Sequence, residues 1–108
     1  MADPNPLAAA MQRMWVQFLP QIQQRVAVLA ASATALSEGT LTAAQAGDAA
    51  KAAHNLAGVL GTFGLAEGTA LAREAEPVYA AGLPIDPGMQ ARLAEIASRL
   101  RDLIAARA

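Results

Sequence analysis

The residue of this sequence best suited to chemistry is its single histidine, His54, which lies in a glycine-rich run. At helical spacing, Gly47, Gly58 and Gly61 fall at −7, +4 and +7 from His54, on the same face of a predicted helix. Glycine inside a helix costs about 1 kcal/mol relative to alanine, so its repetition on one face indicates that something approaches the backbone there. A neutral imidazole is a nucleophile near neutral pH, because the ordinary pKa of histidine is about 6.5. His54 is therefore the candidate reactive residue.

A second face of the same predicted helix is apolar, which would hold the histidine on the outside. Its members recur at helical spacing and are Ala49, Ala53, Leu56, Leu60 and Phe63. The glycines also admit a structural explanation, namely close packing against the alanines of a neighbouring helix. For Gly61 and Gly64 a role in ending the helix is a further alternative.

Other chemistries find little support in the sequence. One histidine and no cysteine cannot complete a closed transition-metal site. Ser32, Ser37 and Ser98 have no base at a recognisable spacing, which disfavours a serine nucleophile. The Gly-x-x-Gly pairs follow no predicted strand and lack the lysine of a phosphate-binding loop.

The composition indicates one all-α domain spanning residues 1–108. Hydrophobic residues make up 55% of the chain, 29 of them alanine, and only 4% of residues are aromatic. The formal charge is −1 and no segment gathers basic residues, so nucleic acid is not an expected partner. The start of the chain lacks signal-peptide features, and polar residues interrupt every long apolar stretch. Together with the absence of cysteine, these features favour a cytoplasmic protein with no membrane association.

The first half of the chain predicts two helices. Pro6 suits a first helical position, and an apolar stripe of Leu7, Met11, Met14 and Phe18 predicts a short helix ending near Leu19. Pro20 then begins a second helix that closes at Gly39, although a kinked continuation of the first is also possible.

The second half of the chain predicts three further helices, two of them with capping residues. Thr42 and Gln45 form a predicted capping box for the helix that carries His54 and runs to about Gly61. The next helix covers roughly residues 65–81, with Pro77 predicting a bend or break near Glu76. Asp86 caps the last helix. The predicted fold is an antiparallel, up-and-down four-helix bundle with an additional short N-terminal helix.

The run from His54 to Gly58, followed by Gly61-Thr-Phe-Gly64, resembles the signature of histidine-containing phosphotransfer (HPt) domains, written His-x-Leu-Lys-Gly. It is most similar to the phosphotransfer domain of chemotaxis histidine kinases, over about residues 48–76. The resemblance implies a monomeric phosphocarrier of a two-component phosphorelay, without kinase activity of its own. His54 would accept a phosphoryl group from a histidine kinase or a receiver aspartate and pass it to a response-regulator receiver. No cofactor is implied, since the receiver supplies Mg²⁺.

The resemblance also assigns supporting residues. Glu76 would accept the Nδ1 proton of His54 and orient the ring, the alternative being a solvated surface glutamate. The residues expected to contact the phosphoryl group or the partner are Lys51, Asn55, Ala57, Gly58 and Gly61. Receivers would bind over the exposed parts of the helices that precede and carry His54.

The sequence departs from the family pattern at one position, because Ala57 replaces its lysine. Lys51, one turn before His54, could partly substitute for that cation or could be an ordinary surface lysine. Arg73 occupies the place of a second histidine in the chemotaxis subfamily and could face the phosphoryl group or simply lie at the surface. The missing lysine leaves open a degenerate adaptor that binds a receiver or kinase without phosphotransfer. A purely structural, self-associating bundle is a third possibility.

Overall fold

The computed structural model describes residues 5–107, which form four helices: α1 (Pro6–Ser37), α2 (Ala43–Thr62), α3 (Ala66–Ala80) and α4 (Pro87–Arg107). Each helix packs against the next one along the chain, and α1 also packs against α4, which closes a bundle. The short connections make successive helices antiparallel. The predicted all-α four-helix bundle is confirmed, while residues 1–4 and 108 of the predicted domain lie outside the described part.

The predicted separate N-terminal helix is wrong, because α1 continues through Pro20 as one helix of 32 residues. Proline removes the amide that would bond to the carbonyl of Val16, and its ring crowds that carbonyl. Both residues are exposed, so water can satisfy that carbonyl. The buried side chains of Trp15 and Ile22 hold the two halves of α1 on the same core.

The apolar stripe predicted for the start of α1 is only partly buried. Leu7 is 70% exposed and Met14 is 39% exposed, whereas Trp15 is completely buried. The Trp15 ring meets the edge of Phe63 at a centroid distance of 5.2 Å, and the Arg107 guanidinium lies 4.7 Å from the Trp15 centroid. This aromatic cluster lies at one end of the hydrophobic core, and the first turns of α1 extend beyond it.

The ends of α2 follow the sequence prediction. The Thr42 side chain accepts a hydrogen bond from the Gln45 amide at 3.1 Å, and the Gln45 side chain accepts one from the Thr42 amide at 2.9 Å. At the other end, Gly64 has a φ of 74° and lets the Leu65 amide reach back to the Leu60 carbonyl at 2.9 Å. This glycine-ended turn reverses the chain within a few residues and sets α3 against α2.

The break expected at Pro77 is absent, and α3 runs on to Ala80. Pro77 itself is exposed, and the almost fully buried Tyr79 anchors the last turn of the helix in the core. The prediction for α4 is confirmed, since the Asp86 side chain accepts a hydrogen bond from the Gly88 amide at 2.8 Å. Glu76 therefore lies on a continuous helix rather than at a break.

Candidate functional site

His54 lies at the middle of α2 with its side chain 72% exposed. The predicted apolar face of α2 is buried as expected, and Ala53 and Leu56 are completely inaccessible. Burial of that face fixes the rotation of α2 about its axis. The imidazole is consequently held at the surface, where another protein can reach it.

The imidazole is paired with Glu76, which is carried by the neighbouring helix α3. His54 Nδ1 and Glu76 Oε1 are 2.9 Å apart, and the glutamate side chain is 33% exposed. An ionised carboxylate only accepts hydrogen bonds, so Nδ1 must carry the proton in this pair. In the neutral ring, Nε2 then holds the free lone pair, and no residue within 5–107 forms a hydrogen bond to it.

The close packing of α2 against α3 sets the position of Glu76 relative to His54. The Thr69 hydroxyl donates a buried hydrogen bond to the Ala57 carbonyl at 3.0 Å. A Cβ atom added at Gly68 would lie 2.9 Å from Leu60 Cδ1, so the buried Leu60 side chain would have to shift to accept any larger residue there. This packing role of Gly68 could not be predicted from the sequence, because nothing in the local pattern distinguishes a packing glycine from an exposed one.

Ion pairs hold α3 against α4 on the side away from His54. Arg92 donates to both carboxylate oxygens of Glu74 at 2.5 and 2.8 Å, and Arg99 donates to those of Glu67 at 2.7 and 2.9 Å. These hydrogen bonds hold the pKa values of Glu67 and Glu74 below the ordinary range. Arg92 also pairs with Glu95 on its own helix. These long-range pairs could not be predicted from sequence spacing.

An open cleft of about 400 Å³ surrounds the imidazole and is lined by Ala50, Lys51, His54, Asn55 and Glu76. Lys51 and Asn55 are both exposed at its rim. The structure thus brings together His54, Glu76 and these two predicted contact residues.

The glycines on the His54 face have different surroundings. A Cβ atom at Gly58 or Gly47 would meet nothing within 4 Å, so neither glycine serves packing within the described chain. A Cβ atom at Gly61 would lie 3.4 Å from the Thr69 hydroxyl, so this glycine also borders α3. Gly58, one turn from the imidazole, therefore leaves the backbone open beside the reactive ring.

The structure does not bring Ala57 to this surface. Its side chain is only 7% exposed and its carbonyl is bonded to Thr69 on α3. The predicted contact of Ala57 with a phosphoryl group or partner stays a prediction, and the burial of this side chain beside α3 argues against it. The side chain of Arg73, in contrast, is exposed on α3.

Residues 5–107 offer neither a cluster of metal ligands nor a helix able to cross a membrane. They contain no cluster of three or more His, Cys, Asp or Glu side chains that could hold a metal ion. In the same part of the chain, every helix is too short or too polar to span a bilayer.

Comparison with known proteins identifies the family of this chain. No curated protein and no solved structure matches the chain. A sequence model of the Hpt domain, however, matches residues 13–106, which include all of α2 and α3 with His54 and Glu76. The chain therefore belongs to the Hpt domain family.

Proposed function

We propose that this chain is a phosphocarrier that accepts a phosphoryl group on His54 Nε2 and passes it to a response-regulator receiver. Membership of the Hpt family implies histidine phosphotransfer in a phosphorelay. The observation that carries the assignment to His54 is its 2.9 Å contact with Glu76 at an exposed position. This contact commits Nδ1 as a donor and leaves Nε2 as the nucleophile.

The transfer step needs few groups from the chain itself. The Nε2 lone pair attacks the phosphorus of an aspartyl phosphate, and the phosphorus–oxygen bond breaks to release the aspartate carboxylate. The ring gains a positive charge while Nδ1 keeps its proton, and the Glu76 carboxylate balances that charge. Reversal of the same step returns the phosphoryl group to a second receiver, so no net proton is consumed. A histidine kinase would load His54 by the same attack on the γ-phosphoryl group of its bound ATP, with ADP as the leaving group.

The surroundings of His54 suit an in-line approach by a partner. Gly58 leaves the backbone bare one turn away, and Lys51 and Asn55 lie at the rim of the cleft. A phosphoryl transfer requires the donor and acceptor atoms to come close with little obstruction. The receiver would dock over the exposed parts of α1 and α2 around His54 and supply the divalent ion. We place this exchange in the cytoplasm.

The test is transfer of a radioactive phosphoryl group from a phosphorylated receiver domain. The wild-type chain should acquire acid-labile, alkali-stable label, and the His54→Gln variant should acquire none while retaining its helical circular-dichroism spectrum. Label on His54→Gln would reject the assignment. Lys51→Ala and Asn55→Ala serve as comparison variants, which should weaken transfer without abolishing it.

A degenerate adaptor is the second candidate, favoured by one observation. Ala57 replaces the lysine of the family pattern, and its side chain is buried. If the chain is an adaptor, the wild type and His54→Ala should bind a receiver with equal affinity, and neither protein should take up label. Titration calorimetry beside the labelling assay separates the two functions.

A further inference from the structure

Arg73 of helix α3 is a second cation, besides Lys51, on the side of α2 that carries His54. Thr69, Arg73 and Glu76 recur at i, i+4 and i+7, so they lie on one face of α3. The outer two both contact α2: Thr69 Oγ1 donates to the Ala57 carbonyl at 3.0 Å, and Glu76 Oε1 accepts from His54 Nδ1 at 2.9 Å. Arg73 therefore emerges between two established contacts, on the face of α3 that packs against α2.

The antiparallel register places Arg73 level with Ala57. Glu76 is level with His54, and Arg73 precedes Glu76 by the three residues that separate His54 from Ala57. Arg73 is exposed. Its guanidinium thus reaches the surface beside the position where the family pattern has a lysine and this chain has an alanine.

The charge of Arg73 is not engaged elsewhere. Among residues 5–107, Arg92 and Arg99 form the bidentate pairs with Glu74 and Glu67, whereas Arg73 forms no ion pair. Its neighbour in sequence, Glu74, is already bonded through both oxygens to Arg92. A planar guanidinium suits the oxygens of a phosphoryl group, which it can bind through two parallel hydrogen bonds.

We propose that Arg73 contacts the phosphoryl group carried by His54 and supplies from α3 the cation that the family pattern places on α2. This inference rests on the proposed function of His54. Arg73 and Lys51 then lie about one helical turn to either side of the imidazole. Lys51 lines the cleft around His54, and Arg73 lines a second pocket between α2 and α3. The phosphoryl dianion lies between two positive charges, while Glu76 remains bound to Nδ1 on the far side of the ring.

The experiment follows the phosphoryl group itself by ³¹P nuclear magnetic resonance. The chain is phosphorylated with phosphoramidate, and the phosphohistidine resonance is titrated with pH. A nearby guanidinium favours the dianion, so its removal should raise the titration midpoint of the phosphoryl group. In Arg73→Ala we expect a rise of about 0.3–0.7 pH units, a change of about twofold to fivefold in the ionisation constant, as for one exposed charge pair.

Three further variants separate charge from structure. Arg73→Gln should raise the titration midpoint as much as Arg73→Ala does. Arg73→Lys should leave the midpoint close to the wild-type value, because the positive charge is kept. Arg13→Ala, which removes an exposed arginine from the far part of α1, should leave the midpoint unchanged.

The outcomes distinguish this inference from the function on which it rests. If the wild type is phosphorylated on His54 but Arg73→Ala and Arg73→Gln titrate like Arg13→Ala, the contact of Arg73 is wrong and the phosphocarrier function stands. If the wild type forms no phosphohistidine with phosphoramidate or with a phosphorylated receiver, both proposals are wrong.

Discussion

Replacing Gly58 with alanine should stabilise the fold and at the same time slow phosphotransfer. The Cβ atom of the new residue would meet nothing within 4 Å, so no packing cost opposes the change. Alanine is favoured over glycine in a helix interior by about 1 kcal/mol. For a domain of this size, that gain should raise the Tm by about 4–6 °C.

The same methyl group would occupy the space beside the imidazole through which a partner approaches. A misplacement of about 1 Å in a transfer reaction can cost up to about 100-fold in rate, so we expect a slowing of about tenfold. The assay is the rate at which phosphorylated protein donates its label to a receiver domain, measured beside a thermal melt by circular dichroism.

Gly47 provides the matched control. It lies two turns from His54 on the same face of α2, and its added Cβ atom would also meet nothing within 4 Å. Gly47→Ala should therefore raise the Tm to a similar extent and leave the transfer rate unchanged. The access role of Gly58 is refuted if both variants are stabilised and both transfer at the wild-type rate. A lowered Tm in Gly58→Ala would contradict the open surroundings of Gly58.

Three other changes have definite expected outcomes. Burial raises the pKa of Tyr79 to about 12, so the unfolded chain loses this proton first, near pH 10. The free energy of unfolding, measured by urea denaturation, should fall by about 2–3 kcal/mol between pH 10 and 12 in the wild type but not in Tyr79→Phe. Below pH 10, Tyr79→Phe should be at least as stable as the wild type, because the hydroxyl has no hydrogen-bond partner within residues 5–107. Gly68→Ala should lower the free energy of unfolding by about 1–2 kcal/mol, because its Cβ atom would lie 2.9 Å from the buried Leu60; a stabilised variant would contradict this close contact. Glu76→Ala, which leaves Nδ1 without its acceptor, should slow phosphorylation of His54 by phosphoramidate about tenfold, and an unchanged rate would exclude an orienting role.

The sequence was most informative where a local rule determines the structure. The capping box of Thr42 and Gln45 depends only on residues three apart, and it was predicted correctly. The face of α2 that carries His54 follows from helical periodicity in the same way. The contact between His54 and Glu76 joins two helices, so it could be predicted only from the resemblance to a family, and the structure contains it.

The errors have a common physical origin in tertiary packing. Pro20 does not end α1, since the core binds both halves of the helix and solvent can satisfy the one freed carbonyl. The burial of Ala57 could not be predicted from the motif either, because side chains beyond the motif fix the rotation of α2. Gly68 and the arginine–glutamate pairs between α3 and α4 depend on residues distant in sequence, and no local pattern indicates them.

The imidazole and its carboxylate belong to different helices, and this has a consequence for evolution and engineering. Inserting or deleting one residue in α3 ahead of Glu76 would displace it by 1.5 Å along the axis and turn it by about 100° around it. The ring would then lose its acceptor even if every residue of the motif around His54 were retained. A chain can therefore keep every residue of the signature and still react slowly. The length of the segment between His54 and Glu76 is as informative as the motif itself.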